Sequence, residues 1–168
     1  MKLSPKDIAL VAVAAVIILV IALFGFPNTG STTQTVTTDL TIQFFGAPAP
    51  IHPGNLTTWT LAGGVWHMTS VSDPGGNTTW VFKNIVGNSS CYAQLLAAGK
   101  VAPFHIDSRN ETMGTLVTAI AGDTNQEGGG LCWQYYVNGV YANRACSVIT
   151  IGNGDQVAWK YQSNQLQS

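Results

Sequence analysis

The chain has 168 residues, of which 46% are apolar and only 9% charged, with seven basic and eight acidic side chains and a net charge of −1 at neutral pH. That length accommodates one domain plus an appendage, and the near-neutral balance excludes the basic field that nucleic acid requires. So little charge leaves Thr, Asn, Ser, Gln and Gly, or attached sugar, to hydrate the surface.

Residues 1–7 carry Lys2 and Lys6, and residues 8–26 follow as an uncharged run rich in Ala, Val, Ile and Leu. As a helix at roughly 1.5 Å per residue this run reaches about 28 Å, the hydrocarbon thickness of a bilayer. It is expected to be an uncleaved transmembrane anchor. A secretory signal peptide is the rival, but the run ends in Phe24 and Phe26 where a cleavage site wants small residues. Lys2 and Lys6 precede the span and the next basic residue is Lys83, so the N-terminus is placed in the cytoplasm and the remainder outside the cell membrane. Residues 27–38 are Thr- and Ser-rich and read as a tether, which leaves residues 39–168 as the outer domain.

Residues 39–45 alternate as a strand with Leu40, Ile42 and Phe44 on one face. Pro48, Pro50 and Pro53 then impose an irregular loop. Strands are expected over 57–61, 65–71 and 78–85, separated by Gly63-Gly64 and by Asp73-Pro74-Gly75-Gly76. One helix is expected over 91–98, capped by Asn88 or Ser89 and ended by Gly99. Further strands follow at 104–108, 115–120, 147–151 and 156–162.

Two aromatic segments dominate the last third. In Cys132-Trp133-Gln134-Tyr135-Tyr136-Val137-Asn138-Gly139, Trp133, Tyr135 and Val137 share a strand face, and Asn138-Gly139 suits a two-residue hairpin turn. In Gly154-Asp155-Gln156-Val157-Ala158-Trp159-Lys160-Tyr161, Val157, Trp159 and Tyr161 share a face. This pair, W-x-Y-Y-V-N-G followed by G-D-x-V-x-W-x-Y, resembles the transcobalamin-like C-terminal domain family, over roughly residues 78–162. The resemblance implies a β-grasp type of fold, which agrees with one helix covering a sheet. It also implies corrinoid (cobalamin) binding beside a separate helical barrel, which this chain lacks. The expected class is therefore α+β: a β-grasp-like, mostly antiparallel sheet with one short helix, preceded by a transmembrane helix.

Most of the aromatic residues are expected to fill a core. Tyr136, Tyr141 and Trp66 are the candidates for an exposed ligand-binding surface, because Tyr136 is out of phase with Trp133 and Tyr135 and faces Tyr141 across the turn. Asn55, Asn77, Asn88 and Asn110 fit the N-glycosylation pattern. With Asn138-Gly139 as the turn, Cys132 faces Ala145, so one bulge would bring Cys146 into register. A Cys132–Cys146 disulfide is favoured, with Cys91 bonded to either partner as the alternative.

Nothing in the chain assembles an enzyme. Cys91 near a helix start, with His67 or His105 as base, has no supporting spacing, and neither Asp107 with Glu111 nor Asp123 with Glu127 is placed for acid–base work. His52, His67 and His105 show no metal-ligand spacing. The chain is expected to be a non-enzymatic, membrane-anchored extracellular binding module for a small molecule or a surface protein. It needs no cofactor of its own, cobalamin being implied by the resemblance alone. A structural or adhesive, pilin-like surface subunit is the alternative.

Overall fold

A computed structural model of the chain describes residues 34–45 and 54–163. The strands are β1 (Thr35–Phe44), β2 (Asn55–Ala62), β3 (Val65–Ser72), β4 (Thr78–Asn88), β5 (Ile106–Glu111), β6 (Gly114–Ile120), β7 (Asp123–Thr124), β8 (Leu131–Val137), β9 (Val140–Tyr141) and β10 (Gln156–Ser163). Among the described residues there is one α-helix, α1 (Cys91–Val101).

The seven-stranded sheet runs β3-β2-β4-β1-β10-β8-β9, and β5-β6-β7 form a second, three-stranded sheet. β1 lies at its centre because every second side chain along it, from Val36 through Thr38, Leu40 and Ile42 to Phe44, is buried on one face. It pairs antiparallel with β4 and parallel with β10, with Leu40 opposite Val157 and Ile42 opposite Trp159. β2 is likewise parallel to β4. Phe44, Trp80, Phe82, Trp133, Trp159 and Tyr161 thus meet in one core with Leu95 of α1. Edge-to-face contacts bind it, Phe44 meeting Trp80 at 4.8 Å and Trp133 at 5.3 Å between ring centroids.

α1 begins where the Ser90 hydroxyl oxygen accepts the amide of Ala93 at 3.2 Å. Its buried residues Cys91, Gln94, Leu95 and Ala98 face the sheet. Gln94 ties helix to sheet: its carbonyl accepts the Thr38 hydroxyl at 3.0 Å, and its amide donates to the Asn88 carbonyl at 3.1 Å. Gly99 does not end the helix, which continues to Val101.

The two aromatic segments are adjacent strands, with Tyr135 opposite Trp159 and Trp133 opposite Tyr161. The turns beside them are fastened together. Asn138 and Gly139 adopt φ of 51° and 79°, as a type I′ turn demands. The Asn138 side-chain amide donates to Asp155 at 2.8 Å, and its oxygen accepts the amide of Gln156 at 2.9 Å. Asp155 also accepts the Gly152 amide at 2.7 Å.

Several expectations need correction. The fold is not a mostly antiparallel α+β β-grasp: it is predominantly β, with a mixed seven-stranded sheet, a second sheet and one helix. The cause is that residues 35–88 contribute four strands to the main sheet, two of them, β2 and β4, paired in parallel with each other, so the helix covers a small part of a large β structure. Among the described residues no helix is long and apolar enough to cross a membrane, and residues 8–26, expected to supply one, lie outside them, as does His52. The expected strand at 147–151 reduces to a single bridge between Ser90 and Thr150.

Asp155 is held below the usual carboxylate range by its bonds from Asn138 and the Gly152 amide. Its contribution to stability is therefore complete above the unfolded-state carboxyl value and is lost as pH falls through the depressed folded-state value. Asp155→Ala is expected to cost about 1 kcal/mol at neutral pH, the scale of exposed charge-assisted bonds. In thermal melts the difference from the parent chain should vanish in strong acid; a gap that persists there would count against the charged clamp.

Candidate functional site

The second sheet and the segment after β9 leave an open cavity of about 800 Å³ against the core face of β8 and β10. Trp133, Tyr135 and Trp159 reach it from the sheet, Leu116 and Val117 from β6, and Val148 from the segment after β9. Its rim is apolar as well: Met113 is 83% exposed and Val148 53%. So much accessible apolar side chain around one concavity is what a small-molecule site offers.

The aromatic floor is rigid. Tyr135 and Trp159 lie 5.1 Å apart between centroids with planes inclined by 30°. The Tyr135 hydroxyl donates to the Arg144 carbonyl at 2.6 Å, and the Trp133 indole N–H donates to the Asp123 carbonyl at 2.7 Å. Burial pushes the Tyr135 phenol above its usual range, so it stays a neutral donor. The Trp159 indole N–H, by contrast, is buried with no acceptor among the described residues.

Two arginines, Arg109 and Arg144, are among the residues that line the cavity. Arg109 is engaged by Glu111. Arg144 is exposed and makes no ion pair among the described residues, so it is the available cation.

The tentative ligand residues do not converge. Trp66 is half-buried on β3, at one edge of the main sheet, and Tyr141 is half-buried on β9, at the other. Tyr136 does meet Tyr141, at 5.7 Å between centroids, but it is only 7% exposed. Gln162 donates to its hydroxyl at 2.6 Å and the Lys160 ammonium lies 4.3 Å from its ring centre, so its ring is not a free platform. Of the three, Tyr141 alone lines the cavity.

Cys132 and Cys146 are not brought together. Cys132 alternates with Trp133 and Tyr135 and so faces away from the core, where its sulfur accepts a contact from Gln134 at 3.6 Å. Cys146 belongs to the core with Cys91, and all three are free thiols. The pairing of β8 with β9 stops after Tyr136–Tyr141 and Val137–Val140, so no longer hairpin exists to bulge into register. Burial pushes the Cys91 thiol up to about 12, so the helix start yields no thiolate there. His105 bonds Asp107 at 2.8 Å and His67 lies on exposed β3. Among the described residues no cluster of three His, Cys, Asp or Glu could hold a metal. Of the sequon residues, Asn88 and Asn110 are exposed and Asn55 and Asn77 half-buried.

Leu116, Val117, Arg144 and Val148 were not signalled by the sequence as site residues. They come from segments that are far apart in the chain and meet only through the packing of the second sheet beside β8.

Residues 100–163 match a family described as a domain of unknown function (DUF4430), a span that contains both aromatic segments and most of the cavity. No curated protein matches the chain. Among solved structures, the chain is similar to a candidate metal-binding protein from Ruminococcus gnavus ATCC 29149, at 11% identity and a TM-score of 0.38, covering 66% of this chain and 97% of that one. It is also similar to haptocorrin in complex with Cbi, at 13% identity and a TM-score of 0.45, covering 77% of this chain and 26% of that one. The likeness is distant in both cases.

Asp123, whose carbonyl orients Trp133, has a buried carboxyl oxygen with no partner among the described residues, and burial raises its pKa above the usual value. The neutral form is therefore favoured in the fold, and the chain loses stability as pH rises through that raised value. Asp123→Asn should raise the melting temperature at neutral pH and change nothing in acid below the ordinary carboxyl range. An equal rise at both pH values would show that ionisation is not the cause.

Proposed function

We propose that the chain is a non-enzymatic binding module whose cavity takes a small ligand with a flat apolar body and one anionic group. The observation that carries this reading is the open cavity of about 800 Å³, lined by the exposed Met113, Leu116 and Val148 in front of the buried Trp133, Tyr135 and Trp159, with Arg144 among its lining residues. The exposed side chains of Met113, Leu116 and Val148 suit an apolar body by desolvation, and burying that surface would supply the driving force. Arg144, lacking a carboxylate partner among the described residues, would pair with a carboxylate or sulfonate on the ligand. The buried Trp159 N–H supports a ligand that also brings an acceptor. A corrinoid is the ligand that the sequence resemblance suggests, and its amide-fringed macrocycle is a separate class.

A second reading has its own observation. β3 is an edge strand whose residues Val65, Met68 and Val71 are 59%, 55% and 59% exposed, and a bare apolar edge supports assembly as a structural subunit. Sedimentation over a concentration series distinguishes the readings: a concentration-dependent oligomer abolished by Met68→Lys favours assembly, whereas a monomer throughout removes it.

Titration with the fluorescent probe 8-anilinonaphthalene-1-sulfonate, an aromatic body bearing one sulfonate, tests the cavity. Saturable enhancement is expected, abolished by Leu116→Arg and weakened roughly ten-fold by Arg144→Ala, as loss of one charge-assisted contact implies. Equal binding by Leu116→Arg and the parent chain would overturn the assignment. Cobalamin and cobinamide are titrated alongside, followed by their visible absorption.

A further inference from the structure

The segment that walls the cavity after β9 is held at several points, two of them at Cys146. Its carbonyl accepts the amide of Tyr92 in the first turn of α1 at 3.1 Å. Its thiol donates to the Thr115 carbonyl of β6 at 3.2 Å. Ser147 beside it accepts the Thr115 amide at 2.9 Å. Four residues further on, Thr150 bridges Ser90, and the Ile151 amide donates to Ser89. The cavity wall is thereby laid along the N-terminus of α1, and Cys91 and Cys146 are neighbours across a single backbone hydrogen bond. Both are buried in the same cluster, 0% and 2% exposed.

We propose that Cys91 and Cys146, free thiols in this structure, form a disulfide on oxidation that fastens the cavity wall to the start of α1. The hydrogen bond from the Tyr92 amide to the Cys146 carbonyl and the short covalent paths on either side of it hold the two residues side by side, and bonding requires the Cys146 sulfur to turn from the Thr115 carbonyl to Cys91. Cys132 is excluded as a partner for either, because it projects from the opposite face of β8. The odd cysteine is therefore Cys132, and the pair is fixed by the fold rather than by proximity in sequence.

With oxidised glutathione as oxidant, the thiolate of Cys146 attacks one sulfur, releasing one glutathione thiolate and leaving a mixed disulfide. The thiolate of Cys91 then displaces the second glutathione. The protein gives up two protons and two electrons, and the glutathione disulfide becomes two thiols. Burial, with the neighbouring thiol adding to it at Cys91, pushes Cys91 up to about 12, and burial pushes Cys146 up to about 11. Thiolate is accordingly scarce once the fold is complete, so exchange is fast while the chain folds and slow afterwards.

The full chain carrying Cys132→Ala is refolded with reduced and oxidised glutathione, denatured, alkylated and weighed. The expected product takes up no alkyl group, weighs two hydrogens less than the reduced chain and yields one linked peptide containing Cys91 and Cys146. Its melting temperature should exceed that of the dithiothreitol-treated chain by roughly 10 °C, as closure of a loop of this length implies. Two alkyl groups per chain, or glutathione retained as the end product, would overturn the proposal. The unsubstituted chain supplies a second check: Cys132 alone should be alkylated, and a linked peptide containing Cys132 would equally overturn it.

Discussion

The parallel ladder between β1 and β10 is the constraint on which the described structure depends. It places the first and last strands side by side in the middle of the main sheet, so that strands from the whole length of the domain must be accommodated around it. Parallel strands need both faces attended to. Here α1 and the second sheet bury the face of Leu40, Ile42, Trp159 and Tyr161, while Asp39, Thr41, Lys160 and Gln162 leave the other partly wet. The cavity follows from the same arrangement. The second sheet packs beside β8 but does not close over its aromatic face, and the segment that returns from β9 to β10 walls the gap that remains.

A small polar cluster sets the register of that ladder at its start. Asn138 satisfies the Asp155 carboxylate and the Gln156 amide together, while the backbone of Asp155 accepts the Asp39 amide. Asp39 in turn accepts the Lys83 ammonium at 2.8 Å and the Asn84 amide at 3.0 Å, where Asn84 takes a φ of 56° at an irregularity in β4. Burial opposes the charge on Asp39, but those bonds hold its carboxyl below the usual range. Two turns and one irregularity, contributed by three different parts of the chain, are thus fixed to the same end of the sheet. The Asn-Gly and Gly-Asp pairs so conspicuous in the sequence act on one another rather than as separate turns.

What the sequence disclosed and what it withheld divide along physical lines. Period-two alternation in residues 133–137 and 157–161 is a local signal, and both segments are strands. The turn at Asn138-Gly139 was legible because few other dipeptides tolerate two successive positive φ angles. Thr35 and Thr37 were read as part of a tether because threonine is polar, yet its β-branched side chain suits a strand, and Val36 and Thr38, which alternate with them, are buried. Gly99 suggested a helix end that tertiary packing overrode: a Cβ placed there would lie 3.2 Å from Ile106, so the glycine marks a close approach instead. The cavity had no local signal at all. Leu116 lies on β6 and Val148 in a turn after β9, each beside another apolar residue in the sequence, and only the packing of these segments makes them a wall.

The same central ladder has a mechanical side. Because β1 and β10 run in the same direction, the described chain enters the ladder at Thr35 near one end and leaves it at Ser163 near the other. Tension applied between those points would slide the two strands past each other along their length. The hydrogen bonds spanning Asp39–Gln156 to Gln43–Lys160 would then share the load at once instead of opening one after another like a zip. A domain strung in this way resists being drawn out far better than its modest complement of charged contacts suggests, since what must yield first is a whole row of bonds.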